Sequence, residues 1–229
     1  MAISILIINP NSNASMTASL SPLLTSLRLP SVTYTFFTAP SPSPPSIDTT
    51  TDAHLSATIA LPHLLPLLQE HDGFVVACYS EHPLVPLLQR VVGLKPVVGI
   101  FEASVVQALL LLRPGERFGI VTTGEGWEAA LHGGVGRFLG GVERCAGVCA
   151  VGVTAGGLGG GEVEGRVKGA VGRLVGMGAG VVCLGCAGMA GMGEVVRVAA
   201  REVGAEVRVV DGVRAAVVQV FGMVRCEGE

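Results

Sequence analysis

Two apolar runs in this chain end on a cysteine and then turn polar or small: "FVVACYSEHP" at 74–83 and "VVCLGCAGMA" at 181–190. The residues that matter are Cys78 and Cys186. A thiolate on one face of a carbon removes a proton, and a thiol on the other face returns one. The stereocentre is inverted without metal or cofactor. A free thiol titrates at about 8.5, and a helix N-terminus lowers that value. Each cysteine precedes a predicted helix start. The carbanion formed on the way needs donors, from backbone N–H groups or hydroxyls at strand ends. Asn11, Ser80, Thr122 and Thr123 are the polar residues at those ends.

Such residues must be held by a scaffold, and the pattern predicts one. Continuous apolar runs at 4–8, 32–37, 74–77, 97–100, 118–122, 147–153, 180–184 and 206–210 read as strands covered on both faces. Helical stretches lie between them, with Asn13 placed to cap the first near Ala14. Pro22, Pro62 and Pro66 fall inside helical stretches and should kink or shorten them. "APSPSPPS" at 39–46 reads as a surface loop. Repeated strand–helix units imply parallel α/β sheets.

The eight strands divide into two sets of four. "SILIINPNSN" (4–13) lies over "FGIVTTGEGW" (118–127), and "GFVVACYSE" (73–81) lies over "GVVCLGCAG" (180–188) with a one-residue offset. Cys78 and Cys186 thereby stand at the carboxyl end of the third strand of each set, the end at which open α/β sheets bind ligands. Two such domains facing each other would place one thiol on each side of a cleft.

Composition narrows the alternatives. The chain has 229 residues and a net charge of −3, with no basic block, which argues against a nucleic-acid surface. The start lacks the basic residues of a signal peptide, so the six cysteines read as reduced thiols in an intracellular, cytoplasmic protein. Leu174 to Gly193 is uncharged and long enough to span a membrane. Its glycines favour a helix end, short strand, loop and helix start instead. Cys145, Cys149, Cys183 and Cys186 can be drawn as a zinc cluster, or Cys183 and Cys186 as a redox pair. Cys145 and Cys149 lie in or beside an apolar strand without turn residues, so no metal is expected. Cys183 reads as core and Cys226 as a tail thiol. All thirteen prolines lie at or before Pro114, and most glycines lie after it. Gly165, Gly169, Gly172 and Gly176 recur at helical spacing, either as a packing stripe or as glycine where alanine would serve. The second reading is preferred.

"INPNSNASMT" (8–17), "CYSEHPL" (78–84), "GIVTTG" (119–124) and "LGCAGM" (184–189), in that order, resemble the aspartate/glutamate/hydantoin racemase superfamily, and within it the fungal type of its hydantoin racemase branch. The resemblance runs from the first strand to "VVDGVRAAV" at 209–217. It implies two flavodoxin-like domains with parallel four-stranded sheets, related by a pseudo-twofold, with the active site in the cleft between them. Residues 1–99 plus 210–229 would form the first domain and 100–209 the second. The resemblance implies Cys78 and Cys186 as catalytic acid and base, no cofactor, and substrate contacts from Asn11, Tyr79, Ser80, Thr122, Thr123, Ala187 and Gly188. It implies a small-molecule substrate and a homo-oligomer. Glutamate racemases carry threonine and histidine after the second cysteine. Ala187 and Gly188 stand there instead, which turns the expectation from a free amino acid toward a 5-substituted hydantoin or an allantoin-like ureide. Glu81-His82-Pro83 replaces the Asp-Pro-Gly run of many bacterial relatives, so the pocket should differ in shape there. An amino-acid racemase, a maleate-type isomerase and a ureide-binding protein without turnover remain alternatives.

Several of these residues also have plainer roles. Either cysteine can be core. Thr122 and Thr123 can cap the next helix, Asn11 can shape its turn, and Trp127 can be packing. His82 can line the pocket or sit in solvent. Substrate walls are expected from the loops 38–52 and 154–162.

Overall fold

A computed structural model of the protein describes residues 2–154 and 161–227. Their helices and strands alternate as the apolar runs predict. In chain order they are β1 (Ile3–Asn9), α1 (Ala14–Thr25), β2 (Val32–Thr38), α2 (Thr50–Leu64), β3 (Gly73–Val76), α3 (Leu84–Gln89), β4 (Val97–Gly99) and α4 (Ile100–Leu111). The second half follows with β5 (Arg117–Thr122), α5 (Gly126–Leu139), β6 (Cys145–Ala150), α6 (Gly161–Gly176), β7 (Ala179–Gly185), α7 (Gly193–Glu202), β8 (Arg208–Asp211) and α8 (Gly212–Glu227).

The strands form two four-stranded parallel sheets, ordered β2-β1-β3-β4 and β6-β5-β7-β8. The order is the same in both halves. Compactness divides the chain into one unit running through Ala103 and resuming at Val213, and a second from Ser104 to Gly212. The division falls inside α4, and α8 belongs with the first unit. A Cβ on Gly73 would overlap Val220 of α8, so this glycine lets the last helix seat against the start of β3.

Burial explains the apolar runs. Ile5, Leu6, Ile7 and Ile8 of β1 have no exposed surface, because helices cover both faces of a parallel sheet. In the first unit Leu6, Ile8, Phe74 and Val76 pack with Ala57, Ala60 and Leu64 of α2 and Leu84, Val85 and Leu88 of α3. In the second, Val121, Val182 and Leu184 pack with Val167, Val171 and Leu174 of α6 and Val196, Ala199 and Ala200 of α7.

The local signals act as their chemistry dictates. Asn13 caps α1 by accepting from the N–H groups of Ser15 and Met16. Thr49 and Asp52 form a capping box on α2. Pro22 and Pro62 are tolerated inside α1 and α2. At Pro66 the α-helix tightens into the 3-10 turn Leu65–Glu70, since proline cannot donate the next helical hydrogen bond. On α6, a Cβ on Gly165 or Gly176 would meet nothing within 4 Å, and on Gly172 only Val203 at 3.7 Å. No backbone approaches these glycines, so they are not a close-packing stripe. Leu174–Gly193 divides into the end of α6, β7, a 3-10 turn and the start of α7. No described helix is long and apolar enough to cross a membrane.

Candidate functional site

The candidate residues fall into two groups, one at the carboxyl ends of the strands in each unit. In the first unit the turn after β1 is built by three asparagines. Asn9 Nδ2 donates to Asn11 Oδ1 at 2.9 Å, to the Asn13 carbonyl at 3.2 Å and to Thr17 Oγ1 at 3.0 Å. Asn11 N returns a hydrogen bond to Asn9 Oδ1 at 3.2 Å, and Asn11 Oδ1 also accepts from Asn13 N at 2.9 Å. Asn11 therefore does shape its turn. Its Nδ2 is left with only a thioether acceptor, Met16 Sδ at 3.5 Å, a weak partner for a strong donor. Asn9 is the hub of this network and was not singled out from the sequence. The alternation Asn9-x-Asn11-x-Asn13 was its visible signal.

Cys78 lies two residues beyond Val76, the last residue of β3, and is partly exposed. Its Sγ is 3.6 Å from Ser80 Oγ. The Tyr79 ring is buried, edge-on to Phe101 with centroids 5.6 Å apart. α3 begins only at Leu84 and is six residues long. The expected helix N-terminus is therefore not immediately behind the thiol. The proline that would start the helix is separated from Cys78 by the turn Tyr79–His82.

That turn is fastened by His82, which is 1% exposed. It does not sit in solvent. Its Nδ1 accepts from Leu84 N at 3.2 Å, so its Nε2–H donates to Ser56 Oγ at 3.0 Å, and Ser56 Oγ donates onward to the Ala53 carbonyl. Burial, aided by the charge of His54, lowers the imidazole to about 3, so it stays neutral.

In the second unit Cys186 directly follows Gly185, the last residue of β7, and is also partly exposed. It opens the 3-10 turn Ala187–Met189, while α7 starts only at Gly193. Here too the helix begins later than expected, because residues 187–192, alternating small residues with Met189 and Met192, form a turn of their own. Thr122 Oγ1 donates to the Gly185 carbonyl at 3.0 Å. Gly191 N donates to Asp211 Oδ2 at 3.1 Å, joining the far side of the turn to β8. Neither threonine caps α5, whose first turn has no side-chain cap. The carbonyls of Thr122 and Thr123 instead accept from Val151 and Gly152. Ala187 is buried, Gly188 partly so. Gly185 is needed sterically: a Cβ there would lie 2.5 Å from the Val121 carbonyl oxygen.

The remaining cysteines do not join these groups. Cys145 and Cys149 are buried in β6 and Cys183 in β7, while Cys226 is exposed. Among the described residues no three His, Cys, Asp or Glu side chains are grouped to hold a metal ion. Trp127 is buried in α5. Residues 155–160 of the loop expected to wall the substrate lie outside the described residues.

The register preserves the internal correspondence. Val76 pairs with Ile8 and Gly185 with Thr122. Since Ile8 and Thr122 are matched in the two half-chains, Cys78 stands two residues beyond its reference point and Cys186 one beyond.

Comparison with known proteins follows the same lines. A protein of Schizosaccharomyces pombe described as uncharacterised is 34% identical, over 97% of this chain and 92% of its own length. The crystal structure of an allantoin racemase from Pseudomonas fluorescens superposes with a TM-score of 0.85 at 29% identity, covering 98% of this chain and 92% of that one. An allantoin racemase from Klebsiella pneumoniae gives 0.84 at 28% identity, covering 99% and 89%. The family model described as Asp/Glu/Hydantoin racemase matches residues 5–220, thus taking in both sheets and both cysteine turns, and the chain belongs to that family.

Proposed function

We propose that the protein racemises a cyclic ureide, a 5-substituted hydantoin or an allantoin-like compound, by proton transfer between two thiols. The observation that carries this reading is the matched placement of Cys78 and Cys186. Two half-chains of identical strand order each present one partly exposed cysteine just past the third strand of the set. One thiolate takes the proton from the stereogenic carbon, leaving its electron pair delocalised into the adjacent carbonyl. The other thiol delivers a proton to the opposite face. Each turnover leaves the two cysteines with exchanged protonation states, and solvent exchange restores them.

The polar groups suit this chemistry. The Asn11 Nδ2 donor and the Ser80 hydroxyl beside Cys78 serve the carbonyl and ring N–H groups of a ureide. Thr122 serves chiefly by holding the Gly185–Cys186 backbone, and Thr123, Ala187 and Gly188 offer compact surface and backbone around it. Ala187 and Gly188 bring no hydroxyl or imidazole to bind an amino-acid carboxylate, which favours a ureide. The similarity to two allantoin racemases supports the same class of substrate.

The test is a panel of single-enantiomer 5-substituted hydantoins, allantoin, aspartate and glutamate, followed by polarimetry and chiral separation. Loss of rotation with a ureide and none with the amino acids is expected. Turnover of aspartate or glutamate alone would overturn the ureide assignment. Binding of a ureide with no racemisation would make the protein a receptor rather than an enzyme.

A further inference from the structure

Glu102 is a titratable group for which the two-thiol mechanism has no use. It lies in the first turn of α4, three residues past the end of β4. β4 is the neighbour of β3, with Gly99 paired to Val76, so Glu102 and Cys78 follow adjacent strands at the same end of one sheet. The connection is closer than topology alone. Tyr79, next to Cys78, packs edge-on against Phe101, next to Glu102. The carboxyl lies over the α-carbon of Gly99, where a Cβ would overlap it and would also touch Val85 of α3 at 3.2 Å. The glycine is therefore what leaves room for the acid.

The surroundings provide no counter-charge. Glu102 Oε2 is shielded from solvent and has no hydrogen-bond partner. Among the described residues, the one charged side chain that acts on it is Glu81, in the turn after β3 that also carries Cys78. α3 supplies none, and the rest of α4 carries no charge. Burial pushes the carboxyl up to about 7, its own backbone N–H opposes this, and Glu81 adds to the rise. A buried acid with one oxygen unpartnered costs stability, and such groups concentrate where function needs them. The orphaned hydroxyls of Ser43 and Ser46 belong to the loop after β2, which is tied to the turn after β1 through Ser12. Three of the shielded, unpartnered polar atoms found among the described residues thus follow strands of this one sheet at its ligand-binding end.

We propose that Glu102 is a substrate-contacting residue that holds a proton and donates it in a hydrogen bond to a carbonyl oxygen of the ureide. This rests on the ureide reading above and adds to it. The protonated acid supplies the donor that its orphaned oxygen lacks a use for in the free protein. A carboxylic acid accepts a neutral imide beside it, whereas a carboxylate would repel the oxygen and oppose formation of the Cys78 thiolate. The donor is lost as pH rises through the carboxyl's own titration.

The experiment compares full-length wild type, E102Q and E102L. Glutamine keeps an N–H donor and cannot titrate, while leucine removes donor and orphan together. E102Q should keep kcat/KM within about threefold near pH 6, and the ratio of E102Q to wild type should climb above neutrality, since all other groups are shared. E102L should raise KM about tenfold or more, a loss on the scale of one hydrogen bond, while its Tm stays level or rises because an unpaired polar group has gone. A fall in Tm with KM unchanged would make Glu102 a structural residue and overturn the proposal. So would a flat ratio across neutrality.

A second readout is independent of turnover. Infrared difference spectra of protein carrying isotope-labelled glutamate should show a protonated carboxyl near pH 6, absent from E102Q and shifted on adding unsubstituted hydantoin. If calorimetry shows hydantoin bound and the band does not move, the Glu102 inference alone fails. If no ureide binds at all, the function proposed above fails and takes this inference with it.

Discussion

The turns that carry Cys78 and Cys186 follow equivalent strands, yet they are held by different means. The first is fastened by a side-chain relay: Leu84 N, the His82 ring, Ser56 Oγ and the Ala53 carbonyl in series. The second is fastened by backbone proximity. Gly185 sits so close to Val121 that no side chain fits, and Thr122 and Asp211 each add one hydrogen bond. A shared strand order places the two thiols, but it does not prescribe how their turns are locked. The relay depends on protonation and the close approach on volume, so the two ends should fail under different insults.

The largest effect is expected where the two turns are alike. Cys78→Ser and Cys186→Ser should each reduce racemisation by several orders of magnitude and leave the circular dichroism spectrum and Tm nearly unchanged. A hydroxyl is too weak an acid to act as the base near neutral pH. Near-normal turnover by either variant, measured by polarimetry, would break the equivalence of the two cysteines.

Volume should then separate the two ends. Gly185→Ala places a methyl group against the Val121 carbonyl oxygen, a backbone atom that cannot swing aside. A loss of about 3 kcal/mol is expected, read in denaturant melts, together with lost activity as Cys186 is displaced. Unaltered stability would mean that β5 and β7 can spread at no cost, and the close approach would lose its significance.

Protonation is the corresponding test of the first turn. His82→Ala leaves Leu84 N and Ser56 Oγ without their partner and should cost about 2 kcal/mol. The native imidazole, lowered to about 3 from 6.5, refuses a proton that the unfolded chain takes up. Its contribution to stability is therefore intact above about pH 6.5 and is lost as pH falls toward 3. The stability of wild type relative to His82→Ala should shrink over that window. A constant difference across it would show that the ring is not held neutral.

The smallest effect has the opposite sign. Gly165→Ala on α6 meets open space and should stabilise the protein by about 0.5–1 kcal/mol, seen as a small rise in Tm. The contrast with Gly185→Ala sorts the glycines of the second half into those the fold requires and those it merely tolerates.

Much of this was legible in the residues. The runs at β1, β3, β5 and β7 are buried on both faces, and unbroken aliphatic sequence shows that condition directly. Asn13 and Pro66 act through the backbone nearest to them, so their effects are local and readable. The matched positions of Cys78 and Cys186 came from superposing the half-chains. The helix starts behind the cysteines were less legible. Residues 187–192 are uncharged alanines, glycines and methionines, and such a stretch serves a tight turn as well as a helix. Likewise, His82 before a proline carries no mark of burial, because its partner Ser56 lies 26 positions away.

The sequence by itself determined the alternation of strand and helix, the two sets of four and the placing of a cysteine after the third strand of each, since periodicity and apolar run length are properties of neighbouring residues. Only the tertiary structure decided that Asn9 is the hub of the first turn, that His82 is a neutral buried brace, that Thr122 holds Gly185, and that one carboxyl oxygen of Glu102 lies shielded and without a partner over Gly99. Each of these depends on which atoms distant segments bring within hydrogen-bond or contact range, and on how much water they exclude there. Side-chain identity sets what a group can donate, accept or titrate, but burial and partners set which of those it does.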